Sequence, residues 1–219
     1  MSKLSFILLA GLLVVSLVAC GSTETNEPET DESTGKVEEI ADNGSEHQIG
    51  ETVENEYGSF TLIARNDEID TQETGPMVLN IPQVNVFSGK LAEHIVELME
   101  MDMELGMKME TDVINYIQID MEVENTSEDT VWFYPAQAEI ETNTGEELES
   151  DLWMSNTING EFIGPVKKSG SQFFILEDSN AEDIEWVRIF MFAPLVYDDS
   201  YVEGSSVGDY IDFKVDMNK

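Results

Sequence analysis

The clearest alternation of apolar and polar residues along the chain runs from Tyr116 to Asn125. The apolar positions within this stretch are Ile117, Ile119, Met121 and Val123. A period of two places these side chains on one face of a β-strand and the intervening polar side chains on the other face. The pattern therefore predicts a strand with one face in the core and one face in water.

A polar turn and a second short strand follow. Residues 125–130 are Asn-Thr-Ser-Glu-Asp-Thr, and residues 131–134 are apolar or aromatic. Two strands joined by a short polar turn predict a hairpin. In its second strand, Trp132 and Tyr134 share one face and Phe133 points to the other. At least one face therefore carries an aromatic ring toward solvent or toward a neighbouring helix.

Further short segments have a strand-like pattern. They are residues 57–65, 77–87, 138–142, 172–176, 185–192 and 210–215. Polar residues and glycine separate them, and we interpret 143–145, 168–170 and 204–206 as turns. Many short strands, without regular alternation of strands and helices, predict an antiparallel β-sandwich.

One segment has helical spacing instead. Its recurring apolar residues are Leu91, Ala92, Ile95, Leu98 and Met99. Ser88 precedes them and is a suitable helix N-cap. Beyond Met99 the spacing becomes strict alternation, although the residue types still favour a helix. We predict a helix over residues 88–104 and a new strand that begins near Met107.

The start of the chain is typical of an export signal. Lys3 precedes an apolar run that ends at Ala19 and is shorter than the ~20 residues of a membrane span. The run closes on Leu-Val-Ala-Cys-Gly at residues 17–21, which resembles the bacterial lipobox. Cys20 is the only cysteine of the chain, so it forms no internal disulfide and we expect it to carry lipid. Two acyl chains on Cys20 would anchor the protein stably to the outer, extracytoplasmic face of the cell membrane.

The composition divides the rest of the chain into two parts. Residues 20–46 are rich in Ser, Thr, Glu and Asp and contain few bulky apolar residues, which predicts a disordered tether after the signal peptide 1–19. Residues 47–219 are long enough for one domain with a single core. The whole sequence shows no internal repeat.

The charge is strongly negative, with 46 acidic residues against 10 basic residues and a net charge of -36. This balance excludes nucleic acid as a partner, because phosphate binding needs clustered Lys and Arg. It also excludes electrostatic docking to anionic lipids. Such an acid excess is typical of proteins that work in high salt, because screening is needed to offset self-repulsion.

Several segments together carry a resemblance to a known family. They are the lipobox, the acidic tether, residues 49–52 (Ile-Gly-Glu-Thr), the strand 116–125, residues 134–137 (Tyr-Pro-Ala-Gln) and residues 142–146 (Thr-Asn-Thr-Gly-Glu). The chain resembles lipoproteins of Gram-positive bacteria that carry an immunoglobulin-like domain of unknown function. The resemblance covers residues 46–216 loosely and implies an immunoglobulin-like sandwich on the cell surface. The predicted helix departs from a minimal sandwich, and no catalytic residue is transferred.

One segment matches a nucleophile motif of hydrolases, but the rest of the sequence does not support a catalytic role for it. Residues 204–208 (Gly-Ser-Ser-Val-Gly) match G-x-S-x-G, the nucleophile elbow of hydrolases. That fold requires a histidine downstream of the serine, but the two histidines, His47 and His94, lie upstream. We therefore interpret the segment as a loop before the last strand and predict no enzyme activity.

The sequence gives little support for a zinc or calcium site. His47 and His94 are too few for a zinc site, and His94 has the acids Glu93 and Glu97 beside it on the predicted helix. No segment has the spacing of a calcium-binding hand. Weak carboxylate sites for a hard cation are possible at Asp178, Glu182 and Asp183, or at Asp198 and Asp199. Diffuse condensation of cations is the favoured interpretation, and we expect no cofactor.

The methionines form an unusual cluster. They are Met99, Met101, Met103, Met107 and Met109. Thioethers are soft ligands that suit Cu(I), but methionine also fills irregular cores. We favour core packing. The sequence thus indicates a non-catalytic binding module of the cell envelope, anchored by Cys20, whose ligand or envelope partner it does not identify. The alternative is a Cu(I)-handling lipoprotein that uses the methionines.

Overall fold

The computed structural model describes residues 47–101, 111–151, 154–155, 158, 160–197 and 204–219. These residues form fourteen strands and one α-helix, α1, which spans Glu93–Met101. In chain order the strands are β1 (Thr52–Asn55), β2 (Gly58–Asn66), β3 (Gln72–Thr74), β4 (Met77–Leu91), β5 (Val113–Asn125), β6 (Val131–Trp132), β7 (Glu139–Thr142), β8 (Glu147–Glu149), β9 (Glu161–Phe162), β10 (Val166–Leu176), β11 (Trp186–Met191), β12 (Leu195–Tyr197), β13 (Gly204–Ser206) and β14 (Ile211–Asp216). Within these described ranges, no helix is long and apolar enough to cross a membrane.

The strands form three sheets. The first sheet has the order β1-β2-β4-β5-β10, with β3 beside β4. The second sheet has the order β14-β11-β7-β8, and the third has the order β13-β12-β6-β9. Neighbouring strands pair antiparallel, as in β4 with β5 and β5 with β10. The predicted mainly β, antiparallel, sandwich-like fold with one helix is confirmed, and the immunoglobulin-like assignment stays a prediction.

The main core lies between the first sheet and the other two. The four apolar side chains predicted to face inward from β5, at 117, 119, 121 and 123, are all buried in it. Phe133 and Phe162 enter this core from the third sheet, and Ile189 enters from the second. Burial of one such side chain contributes about 1.5–3 kcal/mol. The core thus fixes which faces of the two smaller sheets remain in water.

A smaller core covers part of the opposite face of the first sheet. It contains Phe60, Phe87 and Tyr116 from the strands and Ile95 from α1. Because this burial disfavours the charged form, it raises the pKa of the Tyr116 hydroxyl. The first sheet is therefore buried on both faces near the helix.

The predicted start of the helix is wrong. β4 continues to Leu91, and Ser88 pairs with Thr61 and Asn115 instead of capping a helix. α1 begins at Glu93 and ends at Met101. Hydrogen bonds to strands on both sides outweigh the helical preference of this segment, because β4 has β2 and β5 as neighbours. The predicted residues 102–104 and the predicted strand near Met107 lie outside the described residues.

The predicted hairpin over 116–134 is also wrong. β6 pairs with β12 and β9, because both edges of β5 are already occupied by β4 and β10. Two predicted turns are strands: 168–170 lies inside β10, and 204–206 is β13. The predicted turn at 143–145 is confirmed as the link between β7 and β8, with Gly145 at a φ of 87°.

Candidate functional site: an aromatic groove between two sheets

The chain crosses between the second and third sheets four times, at β6–β7, β8–β9, β11–β12 and β13–β14. An open groove lies beside the link from β6 to β7 and two later crossings. Of these two, the first crossing connects β11 to β12, and the second connects β13 to β14. The groove has a volume of about 660 Å³, which is within the usual range for ligand sites. We call it the aromatic groove and define it by Tyr134, Gln137, Phe192, Leu195, Ser206 and Tyr210.

Two groups of aromatic rings flank this groove. In the first, Phe190 and Tyr210 are stacked with their centroids 5.5 Å apart, and Phe192 meets Phe190 edge-on at 5.4 Å. In the second, the Trp132 ring is stacked with Tyr134 at 6.5 Å and meets Tyr197 edge-on at 5.6 Å.

The first group is open to water to an unusual degree. Phe192 is 49% exposed and Tyr210 is 63% exposed. Aromatic rings that share water-exposed faces in one concave site are typical of ligand or partner surfaces. The groove therefore offers apolar surface that is not buried by the fold itself.

A few polar groups accompany the rings. Gln137 and Ser206 line the groove, and Asp209 lies beside Tyr210. The Ser206 hydroxyl donates to the Gly208 carbonyl at 2.7 Å. Burial, and secondarily the charge of Tyr197, raises the pKa of Tyr134, so its hydroxyl stays a hydrogen-bond donor at neutral pH. These groups can orient a bound polar ligand.

The second crossing is held in place by the turn between β3 and β4. The Thr74 hydroxyl donates to the Asp209 carbonyl at 2.6 Å. A Cβ atom on Gly75 would lie 1.9 Å from the Val207 carbonyl oxygen, and one on Gly208 would lie 2.2 Å from the Thr74 hydroxyl oxygen. Only glycine permits this approach of the two backbones. The contact fixes the segment that precedes Tyr210.

A second, smaller hollow adjoins the groove and shares Gln137 and Phe192 with it. It has a volume of about 250 Å³ and also contains Glu139 and Glu149. We call it the acidic hollow. Glu139 and Glu149 lie directly opposite each other on β7 and β8, where Cβ atoms are about 5 Å apart. Two like charges in this position repel each other.

The arginine nearest to this pair is already engaged. Arg188 donates to both oxygens of Asp212 at 2.7 Å and contacts Glu141 at 3.5 Å. The Asp212 hydrogen bonds and charge raise the pKa of Arg188, and the same contacts lower the pKa of Asp212. Arg188 is thus not available to neutralise Glu139 and Glu149.

The predicted nucleophile motif borders the groove, and within the described residues neither histidine lies beside it. Its serine, Ser206, is the last residue of β13 and not part of a strand-to-helix turn. His47 lies near Glu51 with 3.5 Å between Nδ1 and Oε2, and its carbonyl accepts a hydrogen bond from Arg65. His94 is exposed on α1. Neither histidine lines the groove.

The predicted cation site at Asp178, Glu182 and Asp183 does not form a three-ligand group in the structure. The Asp178 amide donates to Glu146, and the Asp183 carbonyl accepts from Asn143. The Glu182 carbonyl accepts from Lys219. Across the part of the chain that the structure describes, no three His, Cys, Asp or Glu side chains are placed to hold a metal ion. Asp198 and Asp199 lie outside the described residues.

The two remaining sets of predicted site residues lie wholly or partly outside the described chain. Cys20 lies outside it, as do Met103, Met107 and Met109. The backbones of Met99 and Met101 belong to the end of α1. Lipidation and Cu(I) binding therefore stay predictions.

The expected arrangement of the aromatic side chains is confirmed at the site. Phe133 is buried, whereas Trp132 and Tyr134 face the groove side and are half-buried. Sequence analysis missed Phe192 and Tyr210 as site residues. The sequence carried one signal for this site. Phe190 and Phe192 are two residues apart, so a strand that exposes one ring also exposes the other.

Comparisons with known proteins are consistent with this fold but assign no activity. No family model matches the chain. It is 25% identical over 190 residues to the SPbeta prophage-derived uncharacterized lipoprotein YonS of Bacillus subtilis (strain 168), which covers 86% of this chain and 80% of YonS.

Two solved structures align with this chain. A functionally unknown protein from Listeria monocytogenes EGD-e aligns with a TM-score of 0.54 at 14% identity, over 74% of this chain and 89% of that protein. The yjhA protein from Bacillus subtilis aligns with a TM-score of 0.42 at 11% identity, over 67% of this chain and 95% of that protein. The Listeria protein supports the fold alone.

Proposed function

We propose that this protein is a membrane-anchored lipoprotein of the cell envelope that binds a ligand in the aromatic groove without catalysing a reaction. The lipobox at residues 17–21 and the similarity to the lipoprotein YonS support the anchor. The observation that carries the binding role is the exposure of Phe192 and Tyr210 within one concave site. Cys20 carries the lipid, and the acidic tether holds the domain away from the membrane surface.

The described lining of the groove suits recognition. It offers aromatic faces, an amide, hydroxyl groups and the Asp209 carboxylate. Among the described residues it holds no histidine, cysteine or lysine, the side chains that most often act as base or nucleophile. Apolar area with a few orienting polar groups is the composition of a binding site.

Site-specific photo-crosslinking in cells tests this proposal. A photo-crosslinking phenylalanine analogue replaces Tyr210 in the full chain, and in a matched control it replaces Ile163, which is 70% exposed but does not line the groove. We expect an adduct of defined mass from position 210 only, and we expect the substitution Phe192→Ala to reduce its yield several-fold. Equal adducts at both positions, or a yield unaffected by Phe192→Ala, would contradict a binding role of the groove.

A further inference from the structure

The charges around the groove are unbalanced by the protein itself. Glu139 and Glu149 in the acidic hollow and Asp209 in the groove have no ion-pair partner among the described residues. The described Lys and Arg side chains bond elsewhere: Lys90 to Asp112, Lys167 to Glu122, and Arg188 to Asp212. Lys214 likewise pairs with Asp216 and lies over the Trp186 ring. The other three donate to Asn85 and to the His47, Glu161 and Glu182 carbonyls. These three carboxylates are exposed and are therefore open to a positively charged ligand from outside this part of the molecule.

The two hollows are adjacent. Gln137 and Phe192 line both the aromatic groove and the acidic hollow, so one extended ligand that passes over these two side chains can reach both. Side chains two residues apart in an extended peptide lie on the same face, about 7 Å from each other. An apolar side chain can thus lie among the rings while a basic side chain two positions away reaches Glu139 and Glu149.

Building on the proposed function, we infer that the aromatic groove and the acidic hollow together bind an extended peptide segment that carries both positive and apolar side chains. The apolar side chain packs against Phe192 and Tyr210. The Lys or Arg side chain lies between Glu139 and Glu149 and relieves their mutual repulsion. The net charge of -36 attracts such a segment from solution and repels anionic polymers.

The size and charge of the site favour a peptide over other ligands. A volume of about 660 Å³ is larger than a single small cation needs. An anionic glycan or teichoic polymer would meet three carboxylates and no free base among the described residues. A neutral glycan would use the rings but would leave the opposed pair Glu139 and Glu149 without a counter-charge. A basic peptide that also has apolar side chains can contact both the aromatic rings and the opposed acids.

The test uses the full chain in a non-ionic detergent and four labelled nonapeptides, with binding followed by fluorescence anisotropy. The first probe is Gly-Leu-Gly-Lys-Gly-Leu-Gly-Lys-Gly. The other three change one feature each: Lys to Gln, Lys to Glu, or Leu to Ser. We expect the first probe to bind at least about tenfold more tightly than each of the others, which corresponds to about 1.4 kcal/mol. Its affinity should fall as salt rises.

Two double variants and a matched control show which side chains produce the differences in peptide affinity. Glu139→Gln with Glu149→Gln should weaken the Lys probe about tenfold and leave the Gln probe unchanged. Phe192→Ala with Tyr210→Ala should weaken both of these probes about tenfold or more. The control, Glu54→Gln with Glu56→Gln, makes the same change in charge at exposed positions away from the groove and should alter affinity less than twofold. Far-ultraviolet circular dichroism shows that each variant is folded.

The outcomes separate the inference from the proposed function. If the Lys and Gln probes bind equally, or if the Glu139/Glu149 variant behaves like the control, the inference of a cationic ligand is wrong while the groove remains a binding site. If a neutral oligosaccharide such as chitotetraose binds more tightly than the Lys probe and displaces it, and Phe192→Ala with Tyr210→Ala abolishes that binding, the groove is a glycan site and the inference is again wrong. If the aromatic variant changes neither peptide binding nor the crosslink at position 210, the proposed function itself fails.

Discussion

Replacing Gly75 with alanine tests how the groove is held in shape. Gly75 has a φ of 54°, and a Cβ atom there would lie 1.9 Å from the Val207 carbonyl oxygen. The left-handed conformation costs a non-glycine residue about 1–2 kcal/mol. The overlap requires the two backbones to separate, which adds about 1–3 kcal/mol by analogy with overpacking. We expect Gly75→Ala to lower the free energy of unfolding by about 2–5 kcal/mol.

A second glycine separates the two contributions. Gly145 also has a positive φ, of 87°, but a Cβ atom there would have nothing within 4 Å. Gly145→Ala should therefore lower the free energy of unfolding by only about 1–2 kcal/mol, from backbone conformation alone. Urea unfolding of residues 21–219, followed by tryptophan fluorescence, measures both values.

The same pair of variants also reports on the site. Because Gly75 contacts the segment that precedes Tyr210, Gly75→Ala should weaken binding of the Lys probe, whereas Gly145→Ala should not. If the two variants destabilise equally and bind equally, the turn between β3 and β4 does not support the groove, and the argument from backbone contact is refuted.

Three further predictions follow from the anchor, the charge and one half-buried carboxylate, Glu146. Cys20→Ala should release the protein from membranes, because alanine cannot form the thioether that carries lipid; fractionation after a salt wash would show otherwise if the variant still sediments. The melting temperature should rise between 0.1 and 2 M sodium chloride, since the Debye length falls from ~10 Å at 0.1 M to ~3 Å at 1 M; a flat or falling curve would mean that the 46 acids are compensated locally. Burial opposes the ionised form of Glu146, but the Ser179 hydroxyl and the Asp178, Glu177 and Ser179 amides lower its pKa on balance from 4.5. Because the folded pKa is depressed, this stabilisation is present above pH 4.5 and is lost as the pH falls through the folded pKa. Glu146→Gln should therefore cost roughly 1 kcal/mol at pH 7 and progressively less in acid, and a loss that is the same at pH 7 and pH 3 would contradict the role of the charge.

The sequence predicted the strands whose two faces have different surroundings. β5 has apolar residues toward the main core and polar residues on its other face over most of its length, so its period of two is visible. Only residues 172–176 of β10 were predicted as a strand, because Lys168, Ser169 and Gly170 have the composition of a turn. In the fold they pair with residues 121–123 of β5, and this long-range pairing outweighs their local preference. Residues 88–91 at the end of β4 were predicted as helix instead of strand, because their pairing with β2 and β5 likewise outweighs their local preference.

The site was less predictable than the fold. The outward position of Trp132 and Tyr134 followed from their spacing, and the structure confirms it. That Tyr134 lines one groove with Phe192 and Tyr210 depends on which strands pair, and pairing between distant segments leaves no local signal. The opposed acids Glu139 and Glu149 became apparent only from the register of the confirmed turn at 143–145.

The crossings that line the groove also determine when it can form during folding. The pairs β1–β2, β3–β4 and β7–β8 join strands that are neighbours in the chain, so their loops close early and at low entropic cost. The groove instead requires Tyr134 to meet the segments that carry Phe192 and Tyr210, which are far away in sequence. Contacts of this kind form late, after most of the chain-entropy loss has occurred. A partly folded chain would thus expose no complete groove, and capture of a ligand would report that the whole domain had reached its native state.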